Sequence, residues 1–300
     1  MPQPQRLLLL ALAALAFAGC AAGSRARAEG GLLFGITAPT DYEGAERNAG
    51  LLGTALGATF GAPVEVRLFD RYEQLVAAID EGDVDIAWLP PLSYVEARES
   101  NRLVPLRRAT HGGAATYRAV LVARSDRKLG SVEALRGSRI AWVSEGSTSG
   151  YLWPRAMLLG KGVDPKTFFL EQSFLGNHEA VCGAIYDGTV DVGAVFTDEA
   201  SLPRGEISAC SALLGGQPGA FSIVVASEPM PSEVVAAREG LPVALATKAA
   251  AALDALPKQP GGAAIMAELF GADGFVAGTA DDFVALEQAR KLLEAESAAQ

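Results

Sequence analysis

The chain has 300 residues, with 25 Lys and Arg against 35 Asp and Glu and a formal net charge of −10. That balance argues against nucleic acid as a partner, because phosphate backbones are held by clustered Lys and Arg. It does not argue against a small anion, whose recognition is local. No Cys, His and acid spacing resembles a metal site. Only two histidines, His111 and His178, are present to act as bases.

The first segment reads as an export signal. Arg6 precedes an apolar run, Leu7 to Phe17, and then Ala18-Gly19-Cys20. The run is too short to span a bilayer and has the charged and small-residue flanks of a secretory signal. Small residues directly before a cysteine resemble the bacterial lipoprotein cleavage box. Residues 1–19 are then a lipoprotein-type signal, with Cys20 lipidated and holding the chain to a membrane of the cell envelope. Phe17 departs from the box, where leucine is more usual. Ordinary cleavage after Ala26-Arg27-Ala28 is the alternative.

The remaining roughly 280 residues suffice for two lobes with separate cores. Apolar runs at Leu32–Ile36, Val64–Phe69, Ile86–Leu89, Val120–Val122, Ile140–Val143, Val190–Val195 and Ser222–Val225 read as strands. Helical spacing lies between them, which is an α/β pattern.

A weak internal repeat divides this pattern. "YEQLVAAIDEGDVDIAWL" begins at Tyr72 and "HEAVCGAIYDGTVDVGAV" at His178. Leu75, Val76, Ile79, Gly82, Val84 and Asp85 share their offsets with Val181, Cys182, Ile185, Gly188, Val190 and Asp191. Each unit is an amphipathic helix, a glycine stop and a buried strand. Asp85 and Asp191 precede strands and are expected to cap turns, outside the site. Two units about a hundred residues apart imply two similar lobes. Tyr72 and His178 then both stand at helix starts that look into the cleft between the lobes.

"SEGSTSGYLWPRAML" runs from Ser144 to Leu158. It follows the strand at Ile140–Val143 and precedes an apolar helix face, Leu152, Ala156 and Leu159. Ser147, Thr148 and Ser149 lie between Gly146 and Gly150, where the helix is expected to begin. Backbone N–H groups at a helix start lack intrahelical partners and favour negative charge. Hydroxyls add donors there, and glycine admits a ligand close to the backbone. The arrangement reads as an anion cradle; an ordinary helix cap is the alternative. Two enzymatic motifs fail. A P-loop needs Lys beside the Ser/Thr, and Tyr151 follows Gly150. A nucleophile elbow needs Ser at the centre of G-x-S-x-G, and Thr148 is there.

Two cysteines follow Cys20. An even pair in an exported chain points to a disulfide, Cys182–Cys210, with two buried thiols as the alternative.

"STSGYLWP", "GNHEAVCGAIYDGTVDVGAV" and "VDIAWLPPLSYVEA" together resemble the phosphate/phosphite/phosphonate-binding proteins of ABC transporters, from about Leu32 to about Gly274. The resemblance implies a two-lobed periplasmic-binding fold of type II with two crossover strands, placed at Tyr117–Ala123 and Ser222–Ala226. Lobe one is then residues 30–120 plus 227–300, lobe two is 121–226, and the ligand binds in the cleft between them. It implies a periplasmic receptor, with no cofactor and no catalysis, that hands a small phosphonate-like anion to an inner-membrane ABC permease. The ligand oxygens are expected on Ser147, Thr148, Ser149 and His178, with Tyr72 and Tyr117. Asp198 in "VFTDEA" and Glu233 in "MPSEVV" match the acids that hold the amino group of an aminoalkylphosphonate. Asp198 is one methylene shorter than the expected glutamate. Tyr94 replaces a smaller residue and is expected to narrow the pocket. Phosphate or phosphite capture and ligand sensing remain alternatives within the class. An envelope phosphoesterase is the alternative outside it.

Overall fold

The apolar runs become strands in a computed structural model that describes residues 31–37, 42–101, 103–215 and 219–298. The expected signal at 1–19 and the expected lipid site at Cys20 lie outside the described residues. In chain order the strands are β1 (Leu32–Thr37), β2 (Val64–Phe69), β3 (Ile86–Leu89), β4 (Val104–Thr110), β5 (Thr116–Arg124), β6 (Arg139–Trp142), β7 (Glu171–Phe174), β8 (Val192–Asp198), β9 (Phe221–Ala226), β10 (Met230–Pro231), β11 (Val234–Ala237) and β12 (Gly274–Ala277). The helices are α1 (Tyr42–Phe60), α2 (Tyr72–Asp80), α3 (Pro91–Asn101), α4 (Trp153–Gly160), α5 (Pro165–Phe168), α6 (His178–Tyr186), α7 (Ser211–Leu214), α8 (Val243–Ala255), α9 (Gly262–Ile265) and α10 (Val284–Ala298). Among the described residues no helix is long and apolar enough to cross a membrane.

Two sheets define two lobes. The first runs β12-β4-β11-β3-β1-β2, and the second runs β10-β5-β8-β6-β7 with β9 also on β5. β1 is parallel to β2 and β3, and β6 is parallel to β7 and β8, so helices must connect these neighbours. Helices then cover both faces, and the central strands are buried along nearly their whole length, as in Leu32–Thr37 and Ile86–Leu89, while β2 and β7 at the edges carry polar residues. Leu52 and Leu56 of α1 and Leu253 of α8 fill one face of the first sheet; Leu75 of α2, Leu92 of α3 and Phe283 fill the other. In the second lobe, Val181 and Ile185 of α6 lie on one face and Leu158 of α4 with Phe168 on the other. Each such fully buried side chain contributes about 1.5–3 kcal/mol relative to exposure.

The two repeat units have the same backbone wiring. α2 and α6 are each nine residues long. Gly82 and Gly188 follow with φ of 76° and 74°, a conformation that a side chain disfavours. Asp85 then accepts from the backbone N–H of Leu33 at 2.9 Å, and Asp191 accepts from that of Arg139 at 3.0 Å. Asp85 also pairs with Arg238, and Asp191 with Arg139. Both aspartates therefore brace neighbouring strands rather than capping turns, and neither lines the cavity between the lobes.

The crossings differ from their expected positions. Tyr117–Ala123 and Ser222–Ala226 lie within β5 and β9, which pair with each other inside the second sheet. The chain passes between sheets at 111–115 and at 232–233 instead. The boundary expected at 120/121 thus falls inside β5, and the one at 226/227 precedes β10. The reason is that apolar runs mark buried strands, whereas the passages are short and lack such a run, the first carrying Gly112-Gly113 and the second being Ser232-Glu233. The two passages lie side by side. Ala109 N–H donates to the Glu233 carbonyl at 2.9 Å, and Ser232 N–H to the Ala115 carbonyl at 3.1 Å.

The lobes also touch away from these passages. Leu152 and Trp153 of the second lobe pack into the first-lobe cluster around Leu92 and Phe283. Glu296 of α10 receives Arg155 at 2.6 Å and Lys166 at 3.2 Å.

Candidate functional site

A cavity of about 560 Å³ lies between the lobes. All eight residues singled out from the sequence line it: Tyr72, Tyr117, Ser147, Thr148, Ser149, His178, Asp198 and Glu233.

The three hydroxyls have distinct surroundings. After β6 the chain turns through Ser144, and Thr148–Leu152 form one wide π-type turn before α4 begins at Trp153. The helix therefore starts later than its spacing predicts. Ser147 is a cap, its side chain accepting from the Gly150 N–H at 3.1 Å. Thr148 is 4% exposed, and its hydroxyl accepts from the Leu92 N–H at 3.1 Å. Leu92 belongs to the first turn of α3 in the other lobe, so this bond joins the lobes. Ser149 is buried and interacts with the Tyr117 phenol. Burial raises the Tyr117 pKa well above its ordinary value, Glu233 adds to the rise, and Ser149 and Thr148 oppose it. The phenol is thus a neutral donor and acceptor at neutral pH. Gly150 is required by packing: a Cβ there would overlap Val143 and approach the Ser147 hydroxyl oxygen to 2.8 Å.

His178 opens α6 from the second lobe, one residue after the cap Asn177, whose side chain accepts from the Ala180 N–H at 2.8 Å. Its ring stands edge-on to Phe196, with centroids 5.0 Å apart. Burial pushes its pKa down to about 4, against a smaller upward pull from Glu233. Its Nδ1 is buried and has no hydrogen-bond partner. Buried polar atoms are normally paired, so this one points to a ligand. Tyr72, at the matching start of α2, is 41% exposed and reaches the cavity from the first lobe.

Asp198 ends β8, where its backbone N–H donates to the Ser208 hydroxyl oxygen at 3.0 Å. Glu233 lies on the second passage between the lobes. His111, on the first passage, meets it with Nε2 to Oε2 at 2.9 Å. Burial lowers the His111 pKa, but the hydrogen bond and charge of Glu233 outweigh it, aided by Asp198 and the Gly271 carbonyl, and the net shift is upward. No Lys or Arg stands among the described residues lining the cavity.

Sequence reasoning missed His111, Asn177, Phe196 and the apolar wall of Trp88 and Phe270, whose ring centroids are 5.0 Å apart. His111 carried a signal, as one of two histidines and directly before Gly112-Gly113. Tyr94 does not narrow the cavity. It is fully buried on the core-facing side of α3, its ring 4.5 Å from that of Phe283 in the first-lobe core. Cys182 and Cys210 are both buried and form a disulfide, with Cα atoms 5.6 Å apart.

A family model described as ABC transporter, phosphonate, periplasmic substrate-binding protein matches residues 34–283. The "Phosphate-import protein PhnD" of Mycolicibacterium smegmatis is 29% identical over 160 residues, 49% of this chain and 50% of the relative. The "Probable ABC transporter phosphite binding protein PhnD1" of Prochlorococcus marinus is 30% identical over 134 residues, 42% of this chain and 44% of the relative. The matched segments thus span about half the length of these curated relatives. A solved structure of PhnD1 from Prochlorococcus marinus in complex with methylphosphonate superposes with a TM-score of 0.71 at 20% identity, covering 88% of this chain and 98% of that one. At that identity the likeness concerns the fold.

Proposed function

The chain belongs to the family of periplasmic substrate-binding proteins of phosphonate ABC transporters, and from that premise we propose that it captures a small phosphonate- or phosphate-like oxyanion between its lobes and delivers it to an ABC permease. One observation carries this reading. The buried, unpartnered His178 Nδ1 and the hydroxyls of Ser147, Thr148 and Ser149 line one cavity. A tetrahedral oxyanion offers several acceptor oxygens, and hydrogen bonds to a charged group are the stronger kind. A neutral His178 donates one such bond through an N–H at Nδ1, and a bound dianion favours the protonated ring. Residues 32–110 with 234–298 act as one lobe and 116–231 as the other. They close about the passages at 111–115 and 232–233, which serve as the hinge. There is no bond chemistry in this cycle. Export through residues 1–19 and lipidation at Cys20 place the receptor at the envelope membrane.

A second reading, an aminoalkylphosphonate ligand, is favoured by the two carboxylates Asp198 and Glu233 on the same cavity wall. An ammonium beside the oxyanion would offset their repulsion, which is weakly screened in a closed cleft.

Calorimetry on the mature protein with phosphate, phosphite, methylphosphonate and 2-aminoethylphosphonate tests the class. At least one should bind, and a Ser147/Thr148/Ser149 triple alanine protein should lose about 100-fold or more in affinity for it. Unchanged affinity in the triple variant sinks the cradle. Turnover of phosphate esters without tight binding of any of the four anions would favour the phosphoesterase instead. Mass spectrometry of membrane-extracted protein shows whether Cys20 carries lipid or whether the chain begins after Ala28.

A further inference from the structure

The cavity presents an electrostatic problem. It is read as a site for an anion, yet Asp198 and Glu233 face it and no Lys or Arg does, among the described lining residues. Two uncompensated carboxylates would repel an oxyanion strongly in a poorly hydrated cleft. Either the ligand carries its own cation, or the protein supplies one.

His111 is the group placed to supply it. Its Nε2 lies 2.9 Å from Glu233 Oε2. The Gly271 carbonyl faces the same ring, and Asp198 lies close enough to interact with it. A neutral imidazole has a single N–H to give, and the imidazolium has two. A ring between a carboxylate and a carbonyl is satisfied on both sides only when protonated. The other histidine is not an alternative cation in the unliganded cavity, because His178 has no acceptor at its buried Nδ1. The backbone supports this placement. His111 and Glu233 are 122 residues apart and sit on the two adjacent passages between the lobes, which the Ala109 N–H to Glu233 carbonyl bond holds in register.

We propose that His111 is the specificity-determining cation of this cavity: as an imidazolium it occupies, against Glu233, the place that a ligand ammonium would take, so the receptor favours an oxyanion without an amino group, of the methylphosphonate or phosphite class. This rests on the oxyanion reading of the cavity. It decides against the second reading above, since an aminoalkylphosphonate would bring its ammonium to a carboxylate already engaged and to a ring of like charge. Specificity then comes from charge repulsion in the wrong complex as much as from contacts in the right one. Trp88 and Phe270 supply an apolar wall in the same cavity for an alkyl substituent.

Two measurements test it, one without any ligand. Imidazole NMR of the unliganded full mature protein should show two ring titrations, assignable because the chain has two histidines. The His111 ring, facing Glu233, Asp198 and Gly271, should stay protonated above the ordinary histidine range, and should return toward it in Glu233→Gln. The Tyr72 and Tyr117 phenols in the same cavity remain neutral over that range. A His111 ring that titrates at or below the ordinary value overturns the proposal, whatever the ligand. Calorimetry is the second measurement. The wild type should bind methylphosphonate at least 10-fold more tightly than 2-aminoethylphosphonate. His111→Gln should lose at least 10-fold for methylphosphonate and narrow or reverse the preference. A wild-type preference for 2-aminoethylphosphonate, or equal losses for both ligands in His111→Gln, overturns the specificity role. If wild type binds neither ligand, nor phosphate or phosphite, it is the oxyanion reading that fails, and the specificity proposal falls with it even when the NMR shows the His111–Glu233 pair.

Discussion

Replacing Thr148 by valine tests the link between the anion cradle and lobe closure. The side chain keeps its shape and loses its hydroxyl. Two bonds are at stake. Thr148 Oγ1 accepts the Leu92 N–H from the other lobe at 3.1 Å, and its own proton is left to donate into the cavity. The bond to an anionic ligand is worth about 1.5–3 kcal/mol. The Leu92 N–H is buried where the lobes meet, and leaving it unpaired there costs about 1–3 kcal/mol. In an open form, water satisfies it. Both losses therefore fall on the liganded, closed form, and together they amount to about 2.5–6 kcal/mol, a drop of roughly 60-fold to 20,000-fold in affinity. Thr148→Ser keeps the oxygen and loses a methyl, worth about 0.8 kcal/mol, so it should stay within about fivefold of wild type. Calorimetry with the tightest of the four anions measures both variants. Thermal melting of the unliganded proteins supplies the control, and it should shift little in either. If valine and serine variants bind alike, the hydroxyl neither holds the ligand nor joins the lobes, and the reasoning fails.

Other outcomes follow from the same structure. His178→Phe should weaken anion binding by about 10- to 100-fold, while the unliganded protein melts no lower than wild type, because the substitution removes a buried ring nitrogen that has no partner; equal affinity in calorimetry would remove His178 from the site. Cys182→Ser with Cys210→Ser opens a loop of 28 residues, and the loop-entropy relation puts the loss near 3.5 kcal/mol. Urea unfolding with an unchanged midpoint would refute it. Glu296→Gln should lower stability by about 2–3 kcal/mol, because it leaves the largely buried Arg155 guanidinium without its carboxylate. The effect should depend on pH. Burial raises the Glu296 pKa, but hydrogen bonds from Arg155 and Lys166 outweigh it and the net shift is downward. A depressed carboxylate stabilises above its unfolded pKa and loses that contribution as the pH falls through its folded pKa. Acid melting curves of wild type and Glu296→Gln should therefore converge at low pH, and a constant gap would refute the pairing.

α10 adds a constraint to the closure that the hinge permits. It carries Glu296, which receives two cations of the second lobe, while its other end packs with the first-lobe core. Among the described residues the lobes are thus joined at the paired passages, at the Thr148–Leu92 bond, at Leu152 and Trp153, and at the α10 contact. Two of these, the passages with His111 and Glu233 and the Thr148–Leu92 bond, involve groups that also face the cavity. Ligand and closure are coupled at both.

Much of this molecule was legible in the sequence because its signals are local. Strand runs and helix spacing are set by neighbours within a few residues, so β1, β2, β3 and β6 fell close to where their apolar runs stand. The repeat was legible for the same reason. A helix, a glycine at positive φ and a bracing aspartate are all specified within one short segment, and both copies folded alike. The resemblance carried all eight cavity residues, since the glycine-bounded hydroxyls and the helix-start histidine each keep their own motif. What the tertiary structure alone decided are contacts between segments far apart in the chain. The His111–Glu233 pair spans 122 residues, and the Thr148–Leu92 bond spans 56. Tyr94 lies in the core rather than the cavity, packed against Phe283 from near the other end of the chain. The crossings moved because apolar patterning marks where a strand is buried and is silent on which sheet it joins. A charge in a sequence carries no record of its partner, so whether a carboxylate meets a ligand or a histidine is settled only when the chain has folded.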